Sequence, residues 1–182
     1  MSNHKNRPLA QVEPPVRGIG RSRGGWTTKI HHTVDGQGRP PTVVIVGGQR
    51  HDGAMLEQVL ADIRVPRSDG GRSRTHPDAV LADKAHSSGV TRRMLRARGI
   101  RAVIPEKSDQ ITARERRGTR GGRPPGLNTD TYTHRKIIEP SFALNKQWRG
   151  VATRYDKLAI TYRAATVLHA CIRWIRIGDT PQ

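Results

Sequence analysis

The chain has 182 residues, enough for one domain with a hydrophobic core, or for two only if both are small. Its 33 Lys and Arg residues outnumber 15 Asp and Glu residues, which gives a formal net charge of +18. A positive charge this large favours a polyanionic partner, above all nucleic acid, over a neutral small molecule. No stretch approaches the roughly 20 apolar residues that a membrane-spanning helix needs. The N-terminus also lacks the apolar core of a secretory signal, so a cytoplasmic protein is expected.

Because Cys171 is the only cysteine, the chain can form neither an intrachain disulfide nor a cysteine-based zinc site. It lies in the most apolar tract of the sequence, Leu158 to Ile177, which predicts a core helix with a buried, unreactive thiol. A reducing compartment fits this composition.

The N-terminal residues, 1–25, are rich in Arg, Gly and Pro and are predicted to form a flexible basic arm. The main domain is placed at 26–177, with a tail at 178–182. It begins with TTKIHHTV and PTVVIV on either side of a DGQG turn, a pattern typical of a β-hairpin. Apolar residues at helical spacing over 54–63 predict an amphipathic helix packed against that sheet.

The middle of the chain continues the alternation of strands and helices. DAVLADKA predicts a buried strand that ends at Asp83, SSGVTRRMLRARG a helix with a serine cap that stops at Gly99, and RAVIP another strand. An Arg- and Gly-rich loop or insertion is expected at 106–130. A helical segment near 137–149 and a long C-terminal helix over 156–177 follow. The order predicts an α/β domain, a mixed sheet flanked by helices.

Two places in the sequence are candidates for chemistry. Asp83 lies where an apolar strand meets a polar loop, which suits either catalysis or simple capping of the next turn. Tyr132, Arg135, Glu139 and Lys146 fall within one narrow sector of a helix at 100° per residue. By spacing alone, a solvated surface with an Arg135–Glu139 pair is the favoured interpretation of this face.

The pattern Y-x2-R-x3-E-x6-K resembles the signature around the catalytic glutamate of bacterial insertion-sequence DDE transposases of the insertion-sequence-four and insertion-sequence-five groups. Other strings are similar to the second group: GRSRGGWTTKIHHTVDG, GGQRHDG, VLADKAHSSGVTRRMLRARGIRAVIPEKSDQ, RRGTRGGRPP and KQWRGVATRYDKLAITYRAA. The resemblance covers about Gly20 to Trp174, nearly the whole chain.

This resemblance implies an RNase H-like fold in which two Asp and one Glu hold two Mg²⁺ ions, with Mn²⁺ as a substitute. Paired metals activate the attacking water or 3′-hydroxyl and stabilise the leaving oxygen. Asp83 matches the second carboxylate and Glu139 the third. Lys146 would contact DNA near the transposon end, and Tyr132 and Arg135 would position the phosphate backbone. The implied partners are the terminal repeats in double-stranded DNA at the nucleoid, and a second copy or an upstream transposase part.

The sequence departs from the family pattern at the first carboxylate, because residues 1–25 contain no Asp. Asp35 in the hairpin turn and Asp52, expected to cap the next helix, are poor substitutes. The chain is therefore expected to be a C-terminal portion, catalytically inactive or very weak alone, with unpaired edges on TTKIHHTV or DAVLAD and a tendency to aggregate. Two other interpretations stay open: a non-catalytic nucleic-acid binder or remnant that represses its element, and the downstream product of a gene read in two frames.

Three further expectations concern proline, arginine and tryptophan. Pro140 directly follows Glu139 and indicates that the helix begins near it, which would take Tyr132 and Arg135 off the regular face. The Arg-rich segment 114–123 and the three N-terminal arginines are either DNA-backbone contacts or a solvated basic surface. The tryptophans are expected to be mainly structural, above all Trp174, although Trp26 and Trp148 could stack on bases.

Overall fold

The computed structural model describes residues 15–67 and 69–178, so the expectations for Met1–Pro14 and for the last four residues lie outside the described residues. Its strands are β1 (Gly20–Ser22), β2 (Gly25–Thr33), β3 (Thr42–Gly47), β4 (Ala79–Leu81) and β5 (Arg101–Val103). Its helices are α1 (Asp52–Ala61), α2 (Gly89–Ala97), α3 (Ser108–Arg116), α4 (Thr129–Thr133), α5 (Ile138–Gln147), α6 (Arg149–Ala152) and α7 (Ala159–Gly178). Short 3-10 turns occupy Pro15–Arg17, Lys84–His86, Gly118–Gly121 and His134–Ile137. The α/β fold with a long C-terminal helix is confirmed.

The first sheet contains the predicted hairpin. β2 and β3 pair antiparallel with Ile30 opposite Ile45, and β1 pairs antiparallel with the start of β2. In the turn, Asp35 Oδ1 accepts from the backbone N–H groups of Gln37 and Arg39, at 3.0 and 2.9 Å. Gly38 follows with a φ of 80°, which a residue with a side chain adopts at a cost. Local turn chemistry therefore sets the register of this hairpin.

The second sheet consists of β4 and β5, paired parallel with Ala79 beside Arg101. Helix α2 connects the two strands, as a parallel crossover requires. The side chain of Ser88 caps α2 at Thr91 N, and Gly99, with a φ of 68°, follows the helix end, as predicted. The strands of the expected mixed sheet are thus distributed over one antiparallel and one parallel sheet.

Both sheets have an edge that is unpaired within the described residues. Gly48 N donates to Thr27 O, so the backbone groups of Thr27 point towards β3. Successive residues of an antiparallel strand point their N–H and C=O groups to alternate sides, so those of Ile30 and His32 point away from β3. In the second sheet, Ala82 N donates to Val103 O, so the backbone groups of Ala82 point towards β5. By the same alternation, the N–H and C=O groups of Ala79 and Leu81 point away from β5. Each of these two segments therefore has one side without a backbone partner among residues 15–67 and 69–178.

Helix α1 packs against both sheets on one face. Met55 and Val59 are buried against Val44 of the hairpin, whereas Leu56 and Leu60 join a cluster with Leu95. This second cluster also contains Ile63, Ile100 and Ile104. The predicted apolar face of α1 is confirmed, and α1 is the element that holds the two sheets side by side.

Helices α5 and α7 cover the opposite face of the hairpin. His32 is 8% exposed, and its Nε2 lies 3.1 Å from Ser141 Oγ of α5. Arg163 of α7 donates to the carbonyl of Val43 and pairs with Asp62 at 2.6 Å. The hairpin is therefore sandwiched between α1 and the C-terminal helices.

The structure corrects two expectations about order. Residues 15–25, assigned to a flexible arm, contain a 3-10 turn and β1, because Arg154 donates to the carbonyls of Arg17 and Gly18 and fixes this segment to the domain. The predicted loop at 106–130 contains α3. Its start is stabilised by Gln110 Oε1, which accepts from the backbone N of Lys107 at 3.2 Å.

The buried face of α7 differs in part from the apolar stripe that its spacing predicts, which comprises Leu158, Tyr162, Ala165, Leu168, Ile172 and Ile175. Tyr162 is buried and donates to the carbonyl of Val151 at 2.6 Å, and Thr166 is 1% exposed with its hydroxyl bonded to helix carbonyls. Because these polar side chains have partners inside, the helix is rotated, which leaves Leu168 56% and Ile175 63% exposed. Cys171 is exposed too, so the buried thiol was wrongly predicted. Within the described residues, no helix is long and apolar enough to cross a membrane.

Candidate active site and nucleic-acid interface

Asp83 lies two residues after β4 and is exposed. Its Oδ1 accepts from the backbone N of Ala85 at 2.9 Å and so caps the 3-10 turn Lys84–His86. A carboxylate held by one oxygen keeps the other oxygen available for a ligand. Asp83 therefore caps the turn with Oδ1, and its Oδ2 can still bind a ligand.

The four-residue pattern is divided between three helical segments. Tyr132 lies in α4, Arg135 in the 3-10 turn after it, and Glu139 and Lys146 in α5. Pro140 is the third residue of α5, where its missing N–H removes no helix hydrogen bond, so the expected helix start near Glu139 is observed. Glu139 and Lys146 share one face of α5 at i, i+7, and both are exposed.

Arg135 reconnects the two halves of the pattern. Its Nη2 lies 3.4 Å from Glu139 Oε1, and its guanidinium lies 6.0 Å from the centroid of the Tyr132 ring. The ion pair is half exposed and stabilises the fold by less than about 1 kcal/mol. Its effect is local: the guanidinium holds the Glu139 carboxylate at the start of α5.

Asp83 and Arg135 line one cleft of about 970 Å³ between the two sheets. Asp52 lines the same cleft and pairs with Lys29 at 3.0 Å, an interaction that lowers the pKa of its carboxyl despite partial burial. The cap of α1 is the His51 ring, and not Asp52 as expected. Asp35 pairs with Arg39 in the hairpin turn. Both aspartates therefore have structural partners.

The donor chemistry of Asp83 and Glu139 suits Mg²⁺, which prefers hard oxygen ligands. Within residues 15–67 and 69–178, however, no three His, Cys, Asp or Glu side chains are grouped so that they could hold a metal ion. The residues present fit a divalent metal in kind but supply only part of a ligand set.

A basic cleft that the sequence interpretation missed lies beside α2 and β5. It has a volume of about 690 Å³ and is lined by Arg92, Arg96, Arg101 and Arg123, with the Pro124–Gly126 segment along one side. Arg92 donates to the carbonyl of Ile104 at 2.7 Å. The other three are not ion-paired within the described part of the chain. The four arginines are separated by 4, 5 and 22 residues in sequence, and only the fold brings Arg123 next to the other three.

The expected DNA contacts in segment 114–123 divide into two groups. Arg114 is mostly buried and pairs with Glu106 at 2.5 Å, so it stabilises α3 and is not available to DNA. Arg123 lines the basic cleft.

Of the tryptophans, Trp174 is structural, with Nε1 donating to Pro40 O, whereas Trp26 is 50% exposed. Trp148 is 36% exposed and packs edge-on against the His169 ring.

The sequence signature and the α/β arrangement coincide with a known family. Residues 11–174 match the family model of the transposase DDE domain, which is most of the chain, so the chain belongs to this family of DNA transposases. The expected family is thereby confirmed.

A particular relative narrows the comparison. The chain is 26% identical over 152 residues to a Burkholderia cepacia protein that bears the name of a transposase for insertion sequence element IS402. The match covers 84% of this chain and 64% of the relative, so the chain spans just under two thirds of the relative's length. No solved structure matches the chain.

Proposed function

We propose that this chain is the part of an insertion-sequence transposase that binds the terminal repeats of the element and contributes two carboxylates, Asp83 and Glu139, to strand cleavage and transfer. The observation that carries the proposal is the family match over residues 11–174. In this family, divalent metal ions assist phosphodiester hydrolysis and transesterification. Asp83 and Glu139 would hold metal here, and Arg135 would keep the Glu139 side chain in place.

The charge distribution supports DNA as the partner. Three exposed arginines of the basic cleft face solvent without ion pairs in the described residues, and the whole chain carries +18. Phosphate contacts of this kind release counterions, so affinity falls by a power of salt concentration of about 0.9 for each phosphate neutralised. Lys146 on α5 adds a cation on the same face as Glu139.

The first experiment measures binding to a duplex of the element's terminal repeat across a salt series. Replacing Arg96, Arg101 and Arg123 together by Gln should weaken binding and reduce the salt slope by about 0.9 per arginine. Arg67→Gln is the matched control, because Arg67 is an exposed arginine paired with Asp69 away from the cleft. An unchanged salt slope in the triple variant would remove the cleft from the interface.

The second experiment measures Mn²⁺ bound to the chain–DNA complex by electron paramagnetic resonance. Asp83→Asn and Glu139→Gln should each weaken Mn²⁺ binding at least tenfold, whereas Asp78→Asn, an exposed aspartate paired with Arg74, should not. Equal binding in all four proteins would exclude Asp83 and Glu139 as ligands.

Strand cleavage is assayed on the same DNA with Mg²⁺ or Mn²⁺. The chain alone is expected to give no specific 3′-end nicking, because two carboxylates cannot hold two metals as three do. Nicking by the chain alone that Asp83→Ala abolishes would disprove this inactivity. DNA binding without Mn²⁺ binding would instead support a non-catalytic protein that represses its element by occupying the ends.

A further inference from the structure

The turn between β1 and β2 displays an exposed tryptophan next to two arginines. The strands pair with Arg21 opposite Trp26, and Arg23 and Gly24 form the two-residue turn of this β1–β2 hairpin, residues 20–27. Directly opposite residues of an antiparallel pair point their side chains to the same face, with Cβ atoms about 5 Å apart. Arg21 and Trp26 therefore share one face of the β1–β2 hairpin, and Arg23 lies at its tip.

The β1–β2 hairpin is fixed at both of its ends. At its base, Arg154 donates to the carbonyl of Gly18 and to Thr28 Oγ1. At its tip, Ser22 Oγ donates to Gly25 O at 3.1 Å. Because the hairpin is already ordered, a ligand that binds to it loses little affinity to the ordering of the protein.

Trp26 differs from the other two tryptophans in having no partner in the fold. Trp174 donates from Nε1 to Pro40 O, and Trp148 packs against the His169 ring. Trp26 is 50% exposed, and among residues 15–67 and 69–178 it has neither a hydrogen bond from Nε1 nor a contact with another aromatic ring or a cation. Its ring can therefore contact a ligand without giving up an interaction in the protein.

The segment around Trp26 carries positive charge only. Residues 17–34 contain four Lys and Arg and no Asp or Glu. Arg21 and Arg23 are both exposed, and neither is ion-paired within the described part of the chain. An aromatic ring beside unpaired cations is complementary to a nucleic-acid strand whose bases are unpaired, since each base offers a flat face and each phosphate a negative charge.

We propose that the β1–β2 hairpin binds an unpaired DNA end: the indole of Trp26 stacks on the terminal unpaired base, and Arg21 and Arg23 bind the adjacent phosphates. Inside a duplex, neighbouring base pairs cover both faces of each base, so a fixed side chain stacks only where a base face is exposed. Such stacking is independent of base identity, because every base has a π-face. The proposal rests on the proposed function in taking DNA as the partner, but it requires no metal ligand and no part of the basic cleft.

The experiment measures the affinity of the full chain for two duplexes of the same arbitrary sequence by fluorescence anisotropy. Each has one unpaired 3′ nucleotide, which carries a base in one duplex and is abasic in the other, so both have the same number of phosphates. Stacking of a base on an aromatic side chain changes affinity about 5- to 150-fold, so the base-bearing duplex should bind at least about fivefold more tightly.

Substitutions of Trp26 separate stacking from simple apolar contact. Trp26→Ala and Trp26→Leu should both abolish the preference for the base-bearing duplex, because leucine keeps apolar bulk but has no flat ring, whereas Trp26→Phe should keep most of it. Thr27→Ala is the matched control, since Thr27 is exposed on the opposite face of the same strand. With 2-aminopurine as the unpaired base, stacking should quench its fluorescence in the wild type but not in Trp26→Leu.

The arginines are tested by the dependence of affinity on salt. Arg21→Gln and Arg23→Gln should each lower the slope of log affinity against log salt by roughly 0.7–0.9. Each should keep the preference for the base-bearing duplex. Arg67→Gln, at an exposed arginine paired with Asp69, should change neither quantity.

Equal affinity of the wild type for the two duplexes would overturn the proposal, and so would an unchanged preference in Trp26→Leu. Loss of binding to anionic phospholipid vesicles in Trp26→Leu, with DNA binding unchanged, would overturn it in favour of a membrane surface. Because the DNA sequence is arbitrary, these results do not depend on recognition of the terminal repeat. Tight binding without preference for the unpaired base would overturn this proposal alone, whereas absence of binding to any DNA would overturn the proposed function as well.

Discussion

Acidification should destabilise the protein through His32. This ring is 8% exposed, lies 3.1 Å from Ser141 Oγ and packs on Phe142 with ring centroids 4.0 Å apart. Burial, together with a smaller contribution from the nearby charge of His169, lowers the pKa of His32 from 6.5 to about 4. The folded protein therefore keeps His32 neutral over a pH range in which the unfolded chain is protonated.

The magnitude follows from proton linkage. Above the unfolded pKa, His32 is neutral in both states and contributes no pH dependence. As the pH falls from 6.5 towards 4, only the unfolded state gains a proton, so stability is lost throughout this window. Between about pH 7.5 and pH 5 the loss from His32 alone is about 2 kcal/mol, at 1.36 kcal/mol per pKa unit.

The assay is urea unfolding followed by circular dichroism across this pH range. For each protein, the change in unfolding free energy with pH is compared, so a lower stability of His32→Gln at every pH does not affect the result. The pKa of His169 is also lowered, mainly by burial and then by the charges of Arg173 and Arg176. The variant therefore keeps the pH dependence of stability that comes from His169. His76→Gln, at an exposed loop position, is the matched control. If His32→Gln loses as much stability on acidification as the wild type, the reasoning is refuted.

Three other predictions concern packing, anchoring and exposure. Leu60→Ala should cost about 2–5 kcal/mol in urea unfolding, since Leu60 is 1% exposed, whereas Leu158→Ala, at a residue 41% exposed, should cost far less; equal costs would contradict the assigned core. Arg154→Lys should cost about 2–3 kcal/mol by the same assay, because an ammonium group cannot keep the bonds to Arg17 O, Gly18 O and Asp156 O; an unchanged midpoint would refute that anchoring role. Cys171 should react with a thiol reagent in the native protein nearly as fast as in urea, and reaction only after unfolding would show that α7 is rotated otherwise.

Much of the fold follows from local sequence. The hairpin around Asp35 and Gly38 is encoded by turn residues next to alternating strands, and Ser88 and Gly99 mark the ends of α2. These signals act over a few residues and need no tertiary context. For the same reason, Pro140 indicates where α5 begins.

Features that depend on distant partners were not predictable. The spacing along α7 correctly predicted that Tyr162 is buried, but it did not reveal the buried Thr166, whose hydroxyl bonds to helix carbonyls, nor the exposure of Leu168. Helix α3 was missed because the Arg and Gly content of residues 106–130 indicated a loop, whereas the structure pairs Arg114 of this helix with Glu106. The basic cleft likewise exists only after folding.

The arrangement of the candidate site residues was not predictable from the sequence. The signature identified Arg135 and Glu139, and the structure adds their ion pair at 3.4 Å. Asp83 was placed correctly after a strand, but its capping bond to Ala85 and its place in the cleft between two sheets required the coordinates. Sequence spacing along one helix could not show that the segment from Tyr132 to Lys146 is divided into three.

The claim that this chain acts at transposon ends is tested most directly by its relative affinity for end DNA. Fluorescence anisotropy should compare a duplex of the element's terminal repeat with a shuffled duplex of equal length and composition, at one fixed salt concentration. The account predicts at least tenfold tighter binding to the terminal repeat. Equal affinity for the two duplexes would contradict it and would show that the chain binds DNA through its positive charge without regard to sequence.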